Sequence, residues 1–280
     1  MKTKKAKNDF LQSDLPSNRK EVFFDSIKLR YGLIFKIGLM MLLFSLPLLV
    51  VLFFKDSYLI SIESSLSKGS ISQESYNEMY KMICRIAYAV CVPCFVIFSI
   101  GLAGSLRVIR QLAWGEGVFF IQDFLDGIKA NYKHYLIYSL LFGVMHYLGR
   151  MAILIDIDLT FIKVLPLIII LSVFLPVMLF GIFQSQIYTN KIWQELKNGA
   201  ILYIKTFFTT FLALIIICIP IAFAFINLFF IKMLVMILYF VFVVPFILLG
   251  EFLYFNSVFD KYINKNNYPD IYGKGINNKI

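Results

Sequence analysis

Hydrophobic residues in this chain come in blocks of about twenty, with little alternation and few one-sided stripes. The clearest block, Val164 to Phe183, carries no charge and is broken only by Pro166, Ser172, Pro176 and Gly181. As a helix it is roughly 30 Å long, the depth of a bilayer's hydrocarbon core. A helix without a polar face has lipid or other membrane helices as its solvent. The same pattern recurs to give six predicted spans, at about 32–54, 82–106, 134–155, 164–183, 207–230 and 233–249. The fold class that follows is all-α, a polytopic transmembrane helical bundle.

The segments between the spans are polar. Residues 1–21 read as a basic disordered arm, 22–254 as the membrane domain and 255–280 as a cytoplasmic tail. Phe23 to Tyr31 predicts a short interfacial helix, and 55–81 the largest loop on its side. Ile121, Phe124, Leu125 and Ile128 recur at i, i+3, i+4 and i+7, one face of an amphipathic helix. That helix either lies in the membrane interface or packs on other loops. A short acidic turn, Asp156 and Asp158, joins the third span to the fourth, and Trp193 suits the headgroup level.

Charge fixes the expected orientation. Of 27 Lys and Arg, 19 fall in segments 1–31, 107–133, 189–206 and 251–280, and 5 in the alternate segments. Basic flanks stay in the cytoplasm, so both termini are expected inside. The net charge of +10 is thereby a topology signal, and no nucleic-acid partner is expected. With 60% hydrophobic residues and a mean hydropathy of +0.78, a water-soluble globule is excluded. No cleavable leader is visible, so the first span is expected to be its own uncleaved signal.

Two patterns suggest an internal repeat. Phe23-Phe24-Asp25-x-Ile27-Lys28-x-x-Tyr31 matches Phe124-Leu125-Asp126-x-Ile128-Lys129-x-x-Tyr132, each ahead of an odd-numbered span. Pro176-x-x-x-x-Gly181 matches Pro245-x-x-x-x-Gly250 in the even spans, with Pro93 and Gly101 a looser copy. Proline-kinked helices at matching places point toward a central cavity.

Arg150 is the most informative single residue, a charge inside the third span one turn after His146. Burying it costs roughly 2.5–3.5 kcal/mol, so it needs a partner or a wet cavity. The commoner role for such a residue is to snorkel to the outer headgroups and pair with Asp156. The other is to bind an anionic group with His146, with Arg85 in the second span as a further candidate cavity residue. Glu251, at the inner end of the last span, is expected to pair with Arg107 or Arg110. Cys91 and Cys94 flank Pro93 and admit a thiol-oxidoreductase role, though a reactive thiolate needs a nearby positive charge. No metal-ligand cluster, phosphate loop or acid/base pair of carboxylates is present, so neither catalysis nor a cofactor is expected.

Asp123-Phe124-Leu125-Asp126-x-x-Lys129-x-Asn131-Tyr132-Lys133 before a span resembles the YesL-like family of bacterial integral membrane proteins. So does the tail, Phe255-Asn256-x-x-Phe259-Asp260-Lys261-Tyr262-Ile263-Asn264, then Tyr268-Pro269-Asp270 and Gly273-Lys274-Gly275. The chain departs from that family in its longer 55–81 loop and its basic arm. The resemblance implies the bacterial cytoplasmic membrane and an accessory role in solute uptake, with carbohydrate as one candidate. The implied partners are a transporter subunit or a second copy of the chain. It assigns no site residues. The competing function is a small transporter or channel with Arg85, His146 and Arg150 at a polar cavity.

Overall fold

The computed structural model describes residues 16–156, 159–226 and 228–276. Asp158 and most of the basic arm lie outside them. The described chain is helical throughout: α1 (Arg19–Ser67), α2 (Gln73–Ala113), α3 (Phe120–Ile153), α4 (Thr160–Ile169), α5 (Leu175–Ser185), α6 (Ile192–Lys205), α7 (Phe207–Ile217), α8 (Phe229–Leu238) and α9 (Val244–Phe259). Five helical stretches are long and apolar enough to cross a membrane, and six if the bent pair α6–α7 is one span. The protein is a multi-pass helical bundle. Its apolar side chains face outward as well as inward: Leu39, Leu43, Leu46 and Val50 on α1, and Leu136, Leu140 and Val144 on α3, are exposed. Such a surface is stable only against lipid.

Ion pairs mark the two ends. Arg19 meets Asp260 at 2.6 Å and donates to the Lys274 carbonyl at 2.7 Å. Lys274 meets Glu116 at 2.6 Å, and Arg30 donates to the Glu116 carbonyl. The first and last described segments and the α2–α3 turn therefore share one end, the terminal end. At the far end Lys232 meets Asp56 at 2.6 Å, and Lys81 pairs with Asp156.

Several predicted boundaries are corrected. The lead-in 23–31 is joined to the first span as one helix bent at Arg30 (φ −132°, ψ 30°). Asn18 caps its start by accepting from the Glu21 amide, while Glu21 accepts from the Ser17 amide. The amphipathic stretch 121–128 is the first part of α3, continuous with its span, with Phe124 buried and Ile121 exposed. Most of the supposed loop 55–81 is helical: α1 runs on to Ser67 and α2 starts at Gln73, leaving a turn at 68–72. A helix once started in lipid extends cheaply through polar residues of good propensity. The predicted tail boundary at 255 also fails, since Phe255 and Phe259 are core residues of α9.

The fifth span is not a straight helix. α6 and α7 meet at 106° at Thr206, whose backbone leaves helical geometry and whose hydroxyl bonds the Leu202 carbonyl. Pro220 then ends α7 in a 3-10 segment, Ile219–Phe225. Eleven α residues and seven 3-10 residues still rise roughly 30 Å together. The segment runs antiparallel to the last span: Thr210 bonds Tyr254 near one end, and Phe223 packs on Tyr239 toward the other.

The two proline spans share a device. α4 passes into α5 through a π turn at Ile170–Phe174, before Pro176; α8 passes into α9 through one at Tyr239–Val243, before Pro245. Each proline would strike the carbonyl four residues back, Ser172 or Val241, and both lie mid-way along the π turn. The widened turn frees those carbonyls, and each is met from a neighbouring helix. The Tyr203 hydroxyl of α6 donates to Ser172 O. Gly38 of α1 lies so close to Val241 O that a Cβ there would overlap it. Before Pro93, by contrast, α2 is continuous.

Candidate functional site

The helices close into a ring, α1–α2–α3–α4/α5–α7–α8/α9 and back to α1, around an internal cavity of about 670 Å³. The two proline spans contribute to its wall in register. Leu167, Leu171, Leu175, Met178, Leu179 and Ile182 line it from α4/α5; Met236, Phe240, Val244, Ile247, Leu248 and Glu251 line it from α8/α9. Each partner stands at the same count from its proline. Six residues after the proline, all three even-numbered spans face the cavity, with Ser99, Ile182 and Glu251. The repeat expected from Pro176 and Pro245 is thus a repeat of cavity wall.

The far end is cationic. Lys55 and Lys232 share Asp56 at 3.1 and 2.6 Å, their side chains and that of Asp56 only 16–18% exposed. Arg150 lies against the Tyr88 ring, 5.4 Å from its centre, and its Nε donates to His146 Nε2 at 3.3 Å. The His146 ring is packed among Tyr88, Phe95 and Phe142. All of these line the cavity, which so far carries three cations to one acid.

Of the residues expected there, Arg150 and His146 are in the wall and Arg85 is not: it is exposed on the outside of α2. The expected Arg150–Asp156 pair does not form, because Asp156 is taken by Lys81. Lys81 also holds the Asp156 carboxyl below the usual carboxylate range. Lys55, Asp56 and Lys232 join the site from just outside the predicted spans. Their one signal is that each lies at the lip of a span.

The expected Glu251 pairing is also corrected. Arg110 donates to the Gln186 carbonyl and stacks on Trp114, and the Arg107 stem lies under Gly127. Glu251, 5% exposed, has no hydrogen bond or ion pair among the described residues. The terminal end is held together by other buried hydrogen bonds. Tyr138 donates to the fully buried Glu195, the Gln186 amide donates to the Tyr135 hydroxyl, and Tyr188 donates to Asn264. Cys91 and Cys94 are buried free thiols, Cys91 in the cavity wall. A second, open groove of about 460 Å³ lies at the α1 bend beside Arg30 and Lys36.

Compared with known families, curated proteins and solved structures, the chain matches none. Among the described residues no group of acids, histidines and cysteines could hold a metal ion. What the arrangement can do chemically is bind: an apolar chamber holds a molecule's hydrocarbon part while a few polar groups at its ends fix orientation.

Proposed function

We propose that the protein is a small, non-enzymatic membrane carrier whose cavity takes an amphipathic anion. The observation that carries this reading is the cavity itself, apolar along its length with a cationic excess at the far end. There Lys55 and Lys232 share one carboxylate, and Arg150 has no carboxylate partner among the described residues. An anionic headgroup beside Arg150 supplies the missing charge, and the hydrocarbon part lies between the proline spans. By the bias of basic residues the terminal end faces the cytoplasm of a bacterial cell, and the far end faces outward.

The test uses the full chain in lipid nanodiscs, titrated with a fluorescent long-chain carboxylate and with the matching alcohol. The carboxylate is expected to bind, and Arg150→Leu to weaken it by about tenfold while leaving the alcohol unchanged. Equal binding of the two probes, or of wild type and R150L, overturns the reading. The accessory role in solute uptake draws only on the YesL-like resemblance; a partner that co-purifies in mild detergent would support it.

A further inference from the structure

Glu251 is the one position where the matched proline spans differ in charge. Six residues after Pro176 the cavity wall carries Ile182; six after Pro245 it carries Glu251. The matching position of the fourth span lines the same cavity without an acid. The acid is also unsupported. It is buried, and its Oε2 is fully enclosed with no hydrogen-bond partner among the described residues. A permanently ionised carboxylate without a partner is too costly in a membrane interior to be retained for packing.

The groups around it do not supply a countercharge. α5 and α7, both packed on α9, contain no charged side chain. On α1, Arg19 is held by Asp260 and the Lys274 carbonyl, Arg30 by the Glu116 carbonyl, and Lys36 lies over the Phe120 ring, while Lys55 and Asp56 pair with Lys232 at the far end. That end lies up to about 28 Å away along the last span, nineteen residues at 1.5 Å each. On α2, Arg110 donates to the Gln186 carbonyl, and among the described residues neither it nor Arg107 forms an ion pair with Glu251. On α3, the Tyr135 hydroxyl is engaged with Gln186 and the Ile182 carbonyl, and Arg150 and His146 hold each other. A bound metal cation would need several oxygen ligands, and one lone carboxyl among Val244, Ile247 and Leu248 does not make such a shell. A proton needs only the carboxyl.

We propose that Glu251 is the proton-binding site of the cavity: the carboxyl holds a proton as COOH and releases it as H⁺ to cavity water, leaving a carboxylate. This goes beyond the carrier reading while resting on its cavity. It gives the chamber a charge that changes at the end opposite the cationic lip.

The experiment labels the full chain in liposomes with dicyclohexylcarbodiimide. This apolar reagent adds to a protonated carboxyl, takes up its proton and leaves a stable N-acylurea, read by mass spectrometry. Expected are an adduct on Glu251 that falls by about fivefold or more as the pH is raised through its titration, and its loss in Glu251→Gln. Glu251→Asp, which keeps a carboxyl, should keep a pH-dependent adduct and covers the case in which E251Q misfolds. A folded wild type with no adduct on Glu251, or with one insensitive to pH, overturns the proposal. No anion probe enters this assay, so its failure and that of the carrier reading are told apart.

Discussion

The fourth and sixth spans are built to one plan and finished differently. Both carry a π turn ahead of a proline, and both turn the same positions to the cavity. In the fourth, the carbonyl freed by the proline is satisfied by the Tyr203 hydroxyl and the wall is wholly apolar. In the sixth, the freed carbonyl abuts the backbone at Gly38, the wall includes Glu251, and Lys232 ties the span to Asp56 of α1 within the cavity's lip. The lesson is that the shared features are those of a scaffold. The features found in one copy alone are where chemistry has been added.

Six substitutions break or sharpen that contrast. The largest effect is expected from Gly38→Ala, because the new methyl overlaps the Val241 carbonyl and α1 has to move off the last span. A loss of about 3 kcal/mol is expected, read as a large drop in thermal midpoint in nanodiscs. At the matching junction Tyr203→Phe removes only a hydroxyl and leaves Ser172 O to its π turn, for about 1–2 kcal/mol. If the two variants cost the same, the junctions are not finished differently.

Swapping the matched wall residues comes next. Glu251→Ile should leave the thermal midpoint unchanged or raise it, whereas Ile182→Glu should lower stability by about 2 kcal/mol. A symmetric outcome would remove the argument that the acid is dispensable to the fold. The smallest effect is expected at the far-end ties. Lys232→Ala should cost about 1 kcal/mol, limited because Asp56 keeps Lys55. Lys81→Ala should leave the midpoint unchanged at neutral pH. Its pair holds the Asp156 carboxyl low, so any contribution is present above the unfolded carboxylate pKa and fades as pH falls through the folded one. A midpoint that instead weakens with rising pH would show that the pair is not its source.

Much of this architecture could be read from the residues. Long uncharged runs have one solution in lipid, and Pro176 and Pro245 announced their common plan because a proline's effect on its own helix is local. Arg150 and His146 were legible because a charge within a span has few places to go. Other features depended on neighbours distant in sequence. Whether Arg85 faces in or out is set by the rotation of α2, fixed by packing and not by hydropathy. Lys55, Asp56 and Lys232 become a cluster only when the ring closes. Glu251 was expected to find an arginine, but Arg110 had a nearer acceptor in the Gln186 carbonyl. The 55–81 hairpin was misread because polar composition was equated with loop, although the run holds few helix breakers.

The seat of the Val241 carbonyl on Gly38 also orders events in time. Those two residues are separated by 203 positions, and Arg19 and Asp260 by 241, so the ring gains its last seam only after Val241 has left the ribosome. Until then α1 presents to the surrounding membrane a groove without its occupant. A nascent chain arrested before Val241 leaves that face of α1 to be covered by lipid alone.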